Sequence, residues 1–217
     1  MFFGQKKSWK KKAFRLFQSN SMIEKLLGFS KVLNVLQSVE RVIRVKDQER
    51  WENDMEHSYH LAMLAWYIVD TRKLSLNRDK VFCYALAHDL VEIYAGDTYL
   101  YSQDQQLLDS KIEREYAAAL RLEQEFPDVP EMHAAIRGYV AKEDAESRFV
   151  YALDKIEPMI KIYLDNGRTW KEKGVTLEMA YESKKDKVAF SPEITEYFEE
   201  LMTLLRAEQE RLFWEFE

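Results

Sequence analysis

From residue 23 onward apolar side chains return every three or four positions, the period of a helix packed along one stripe. Ile23, Leu26, Leu27, Val32, Leu33, Val35 and Leu36 make the first such run. A polar connection over 46–55 separates it from a helix predicted at 56–72, with Leu61, Leu64, Ala65 and Ile68 on its apolar face. Asn77 is placed to cap a helix over 78–93 that ends before Gly96. A polar loop and a long helix over 104–126 follow, stopped by Pro127 and Pro130. Residues 131–141 and 145–165 read as two more helices, the second carrying a kink or break at Pro158 and ending at Asn166-Gly167. Ser191-Pro192-Glu193 sets cap, proline and acid in the order that opens a helix, here a last one of about 24 residues. The pattern predicts an all-α, single-domain bundle over 21–217, with residues 1–20 as a basic helical extension.

Composition narrows the class further. The chain has 6 Gly and 4 Pro in 217 residues. Average usage would put the pair near ~12% of a chain, so a many-stranded sandwich or barrel is disfavoured. An apolar share of 47% is ample for a core. The single cysteine, Cys83, excludes an internal disulfide framework and a CxxC zinc site. No apolar stretch has the length of a membrane span, and no secretory cleavage pattern is present, so the expected compartment is the cytoplasm.

The net charge of −6 is unevenly placed. Residues 1–20 hold six basic side chains and no acid, which leaves −12 on the rest. A body that acidic is a poor partner for nucleic acid, whose affinity comes from clustered Lys and Arg. The basic segment interleaves Phe2, Phe3, Trp9, Phe14 and Phe17. It is expected to pack on the body as an extra helix, with peripheral docking to a membrane surface or partner as the alternative.

Four histidines carry the candidate chemistry. His88 and Asp89 sit inside the apolar run 84–91, where an ionised Asp is costly unless something compensates it. Asp154 repeats the anomaly among Val150, Leu153 and Ile156. Spacing alone leaves two readings, a hydrogen-bonded structural pair or a metal site completed by His57 and Asp154 from other helices. Glu92, one turn beyond His88, and Asp97 after Gly96 crowd three acids and a histidine into residues 88–97, which favours the metal.

The strings around these residues are more specific. GluHisSerTyrHisLeuAla (56–62), AlaLeuAlaHisAspLeuValGluIleTyrAlaGlyAsp (85–97) and PheValTyrAlaLeuAspLysIleGlu (149–157) resemble the HD-domain metal-dependent phosphohydrolases, in the branch of the 5′-deoxynucleotidases. The resemblance spans roughly residues 30–205, SerProGluIle (191–194) included. It implies one divalent transition metal (Mn, Co, Fe or Zn) on His57, His88, Asp89 and Asp154. Two imidazoles argue against calcium. Glu92 matches the position that handles the proton of the attacking water. Asp97 matches one that orients water or the sugar. His60 is expected behind the ligands or in packing, and His133 in packing or at the surface. With so few spare histidines, a mononuclear site is implied.

Two departures concern the substrate. The Arg-Trp pair that the family carries before its first motif histidine reads GluArgValIleArg here (40–44), leaving Arg41 and Arg44 as candidate phosphate contacts. The family's acidic Trp-Glu-Glu-Tyr segment reads IleArgGlyTyr (136–139). The implied activity is hydrolysis of nucleoside 5′-monophosphates, deoxynucleotides first. Alternatives are a cyclic nucleotide or nucleotide polyphosphate substrate, or a nucleotide sensor without turnover. Family members are often homodimers, and the same is implied here.

Overall fold

The computed structural model describes residues 21–214. The predicted extension over 1–20 lies outside the described residues. Helix α1 (Met22–Leu36) leads into a hairpin of β1 (Glu40–Arg44) and β2 (Trp51–Asn53). Helices α2 (Asp54–Thr71), α3 (Arg78–Ala87) and the single turn α4 (Glu92–Ala95) follow. After them come α5 (Gln105–Asp109), α6 (Lys111–Glu125), α7 (Pro130–Ala141) and α8 (Ala145–Leu164). Short helices α9 (Arg168–Glu172), α10 (Leu177–Glu182) and α11 (Lys185–Val188) precede α12 (Pro192–Ala207) and α13 (Gln209–Leu212).

The core is built around α8, which packs against α2, α3, α7, α11 and α12. Its buried face includes Phe149, Val150, Leu153, Ile156 and Met159. Asp154 and Glu157 lie on this same helix, also buried. So the element richest in core contacts also holds two acids, which must find partners across the bundle.

The all-helical pattern holds except at 40–53, where a stretch with no predicted sheet forms an antiparallel pair. Arg41 faces Glu52 and Arg44 faces Trp51, with an irregularity between them. The β-branched Val42 and Ile43 suit a short strand. Asp47, at φ 59°, takes the left-handed turn conformation that Asp tolerates. The hairpin ends in a capping box. Asn53 accepts from the Glu56 amide and Glu56 accepts from the Asn53 amide, which fixes the start of α2 and hence the position of His57.

Other boundaries moved for identifiable reasons. The predicted 78–93 helix stops at Ala87 and resumes only as α4. Between them the chain tightens, with Leu90 N–H donating to Ala87 and Glu92 N–H to Asp89. The 104–126 helix divides at Ser110, whose hydroxyl donates to the Leu107 carbonyl. The last predicted helix ends at Ala207, with α13 as a separate turn. Helix α8 runs through Pro158 without a break. The amide hydrogen that Pro158 lacks is the one that would have bonded the Asp154 carbonyl. Gly167, at φ 70°, could not be replaced freely, because a Cβ there would run into the Leu212 backbone.

Candidate active site

The break after α3 has a direct consequence for geometry. Consecutive residues on a regular helix point about 100° apart. In the tightened turn His88 and Asp89 converge instead, with His88 Nε2 3.1 Å from Asp89 Oδ2. The first turn of α2 brings His57 Nε2 to 3.3 Å from His88 Nε2 and 3.7 Å from Asp89 Oδ2. Helix α8 contributes Asp154, whose Oδ1 is 3.0 Å from His57 Nε2 and 3.8 Å from His88 Nε2. Ligands about 2.1 Å from an ion in tetrahedral or octahedral geometry stand about 3.0–3.4 Å apart. The spacing therefore matches a coordination shell, and the four residues proposed from the sequence are brought together.

The remaining bonds of each ligand define what it presents. His88 Nδ1 lies 3.0 Å from the Ala85 carbonyl. A carbonyl only accepts, so Nδ1 carries a hydrogen, and a neutral ring faces the cluster with the Nε2 lone pair. His57 Nδ1 lies 3.1 Å from Glu157 Oε2, with the same result when the ring is neutral. Asp154 Oδ2 accepts from the Tyr139 hydroxyl at 2.7 Å and from Lys155 at 2.5 Å, leaving Oδ1 for the cluster. Lone pairs facing one another in a buried space repel unless a cation lies among them. The donor set thus fits a divalent transition metal. Burial opposes charge on His57, yet the Glu157 and Asp154 carboxylates push it up to about 9, so in an ion-free protein a proton supplies part of that positive charge.

Next to this shell lies a group of acids. Asp54, Asp89 and Glu92 have carboxylate oxygens within 4.8 Å of one another. Arg41, projected from β1, reaches Asp89 at 2.8 Å, Asp54 at 3.2 Å and Asp97 at 4.0 Å. Burial raises Glu92 to about 11, with the charges of Asp89, Asp54 and Asp97 adding to the effect. Asp54 is raised to about 6 by burial and then by Asp89. One oxygen each of Glu92 and Asp54 is buried without a hydrogen-bond partner. Asp89 and Glu92 open on a cavity of about 280 Å³ that Arg41, Asp97 and Asp154 also help to line, while Asp54 lies buried behind it.

The model of the family described as HD domain matches residues 33–195. The chain belongs to the HD domain family. Human 5′-deoxynucleotidase HDDC2 is 30% identical over 139 residues, 63% of this chain and 66% of the human protein. The mouse 5′-deoxynucleotidase HDDC2 is 28% identical over 181 residues, 82% of this chain and 87% of the mouse one. Among solved structures, a predicted metal-dependent phosphohydrolase from Magnetospirillum magnetotacticum superposes with a TM-score of 0.74 at 29% identity, covering 89% of this chain and 96% of that one.

Within this HD domain the other candidates separate. Arg41 and Asp97 are at the cavity. Arg44 is not among the residues lining it: the side chain pairs with Glu172 at 2.9 Å and stacks 3.8 Å over Trp51, and so holds the hairpin to α9. His60 sits behind the ligands, 2.6 Å from Glu157. His133 is buried and its Nε2 donates to the Phe126 carbonyl at 2.7 Å, outside the cavity. Sequence reasoning missed three contributors. Glu157 links His57, His60 and Lys161. Asp54 is fully buried beside Arg41. Lys155, next to Asp154, lines the cavity. Glu157 and Lys155 both stand inside the motif string 149–157, so the signal was present.

Proposed function

We propose that this chain is a metal-dependent phosphomonoesterase that hydrolyses nucleoside 5′-monophosphates, deoxynucleotides first, in the cytoplasm. The observation that carries the reading is the convergence of His57, His88, Asp89 and Asp154 on one point at the end of a cavity. The names of the human and mouse relatives support the substrate class. A single divalent ion on those four residues would supply a Lewis acid for the phosphoryl group and acidify the attacking water. One ion rather than two is the reading because Arg41 already answers the adjacent acids Asp54 and Asp89.

The chain's own groups divide the remaining work. Glu92 faces the cavity from the turn after Asp89 and receives the proton of the attacking water. Asp97, also at the cavity and pushed up by burial, orients that water or a sugar hydroxyl. Tyr139 and Lys155 hold Asp154 in place. Leu100, Leu108, Pro158, Met159, Ile162 and Trp170 give the cavity an apolar arm suited to a base. The test is phosphate release from a panel of nucleotides by protein loaded with Mn, Co, Fe or Zn. Turnover confined to 5′-monophosphates is expected. Turnover confined to cyclic nucleotides or polyphosphates would replace the substrate, and none at all with metal bound would leave a sensor.

A further inference from the structure

The cavity has one wall that the reading above does not use. Lys111 from α6, Lys155 from α8, and Lys184 and Lys187 from the segment at α11 all line it. Helix α11 packs on α8, which places the last two ammonium groups in the field of Lys155. Lys155 is answered by Asp154, and Lys111 by Glu115 at 3.3 Å. Among the described residues, neither Lys184 nor Lys187 has a carboxylate at ion-pair distance. Half-buried cations of like sign, gathered without counter-charge, are unfavourable unless an anion joins them. Burial and then Lys155 bring Lys184 down to about 7. Lys187 is lowered by burial, then by Lys155 and Lys111.

Charge counting says which anion. With every group ionised, the cavity lining carries five cations, Arg41 and the four lysines, against four acids, Asp89, Glu92, Asp97 and Asp154. Arg41, Lys111 and Lys155 are each paired with an acid, so among the described residues the two positive charges left without a partner are those of Lys184 and Lys187. A phosphate monoester near pH 7 carries close to two negative charges, because its second pKa is about 6. A phosphodiester or cyclic nucleotide carries one.

We infer that Lys184 and Lys187 bind the phosphate of the substrate and select dianionic monoesters over singly charged diesters. This rests on the phosphomonoesterase reading and adds to it the residues that set the class of ester. Neither lysine is in a motif string. Both lie in the charged stretch GluSerLysLysAspLys (182–187), which reads as ordinary surface.

The experiment uses full-length protein loaded with metal. Binding of inorganic phosphate is measured by calorimetry at pH 7.5 for wild type, Lys184→Ala, Lys187→Ala and the double variant, with metal content and melting temperature as controls. A charge-assisted hydrogen bond contributes enough that the double variant should bind phosphate at least about tenfold more weakly. Lys184→Arg should bind close to wild type. On esters, kcat/KM for a nucleoside 5′-monophosphate should fall about tenfold or more in the double variant, while the inhibition constant of its singly charged methyl ester should shift much less. Unchanged phosphate affinity, or equal loss on both esters, overturns the inference. If wild type hydrolyses no nucleotide, the enzymatic reading fails, while the phosphate titration still decides whether these lysines bind the anion.

Discussion

Replacing Glu157 by Gln tests how much of the metal affinity comes from a residue that never touches the ion. Glu157 is fully buried, and each of its oxygens is committed. Oε2 accepts from His57 Nδ1 at 3.1 Å, while Oε1 faces His60 at 2.6 Å and Lys161 at 2.6 Å. Gln has one accepting oxygen, so its amide must turn donors toward His57 or toward Lys161. Either choice costs a bond, and the first tilts the imidazole or forces the wrong tautomer. Removing an outer-shell partner of this kind typically costs about 10–100-fold in metal affinity. A second effect has the opposite sign. The Glu157 and Asp154 carboxylates, working against burial, hold His57 up to about 9. At pH 7 a proton therefore competes with metal for His57 in the ion-free chain. Glu157→Gln lowers that proton affinity and so relieves part of the competition at pH 7. At pH 9 and above the competition fades, and only the loss of orientation remains.

The assay is a chelator competition titration at pH 7 and pH 9.5, with zinc or manganese as probe. Wild type should bind more tightly at the higher pH, because the proton that competes for Nε2 is released as pH rises through about 9. The variant should show a weaker pH dependence and a clear deficit, about tenfold or more, at pH 9.5. Equal affinity of variant and wild type at pH 9.5 would refute the claim that Glu157 orients His57. A wild-type affinity independent of pH would refute the assignment of His57 as a ligand that must shed a proton.

Three further outcomes are expected. Glu92→Gln should keep fold, metal and phosphate binding while kcat drops about 10²–10⁴-fold, and normal turnover would move the proton to Asp97. Asp154→Asn should weaken metal binding with activity partly recovered by excess metal, and elemental analysis of wild type should give about one transition metal per chain, two at full occupancy refuting the single-ion site. Deleting residues 1–20 should leave turnover of a small soluble substrate within about twofold, because the site residues all lie beyond that segment; a tenfold loss in a folded protein would make the segment part of the site.

Three of the four proposed ligands were legible because each carried a local contradiction, whereas His57 carried none and was assigned through the family resemblance. His88-Asp89 and Asp154 are polar residues where the helical period calls for core, and a single sequence displays that conflict without any knowledge of packing. What could not be read was how the chain would place them. No Gly or Pro stands between Ala87 and Glu92 to announce the break that lets His88 and Asp89 face one point. The five residues of β1 are too few to show a period, and Asp54 looked like part of a polar connection until the hairpin buried it against Arg41. Glu157 stands inside the motif string 149–157, but the string does not show what it bonds: His57 arrives from α2 across the bundle, while Lys161 lies one turn on along α8. The long-range partners were the invisible part, since a sequence shows which groups need compensation and not which others supply it.

Arg41 shows how much depends on such a partner. Asp54, Asp89 and Glu92 are close enough to hold a second ion, yet a guanidinium on β1 reaches two of them directly. A fixed single charge stands where an exchangeable double charge could go. Its compensation is incomplete: one oxygen each of Glu92 and Asp54 lacks a hydrogen-bond partner, and Glu92 is driven toward its protonated form by burial and by the acids around it. A carboxylate with that much affinity for a proton removes one from water more readily than an ordinary surface acid does. A dication held nearby would favour the ionised carboxylate, the form that can take a proton from water. The hairpin that the periodicity did not reveal therefore carries the cation that pairs with Asp54 and Asp89, and leaves Glu92 as the acid proposed to take the proton.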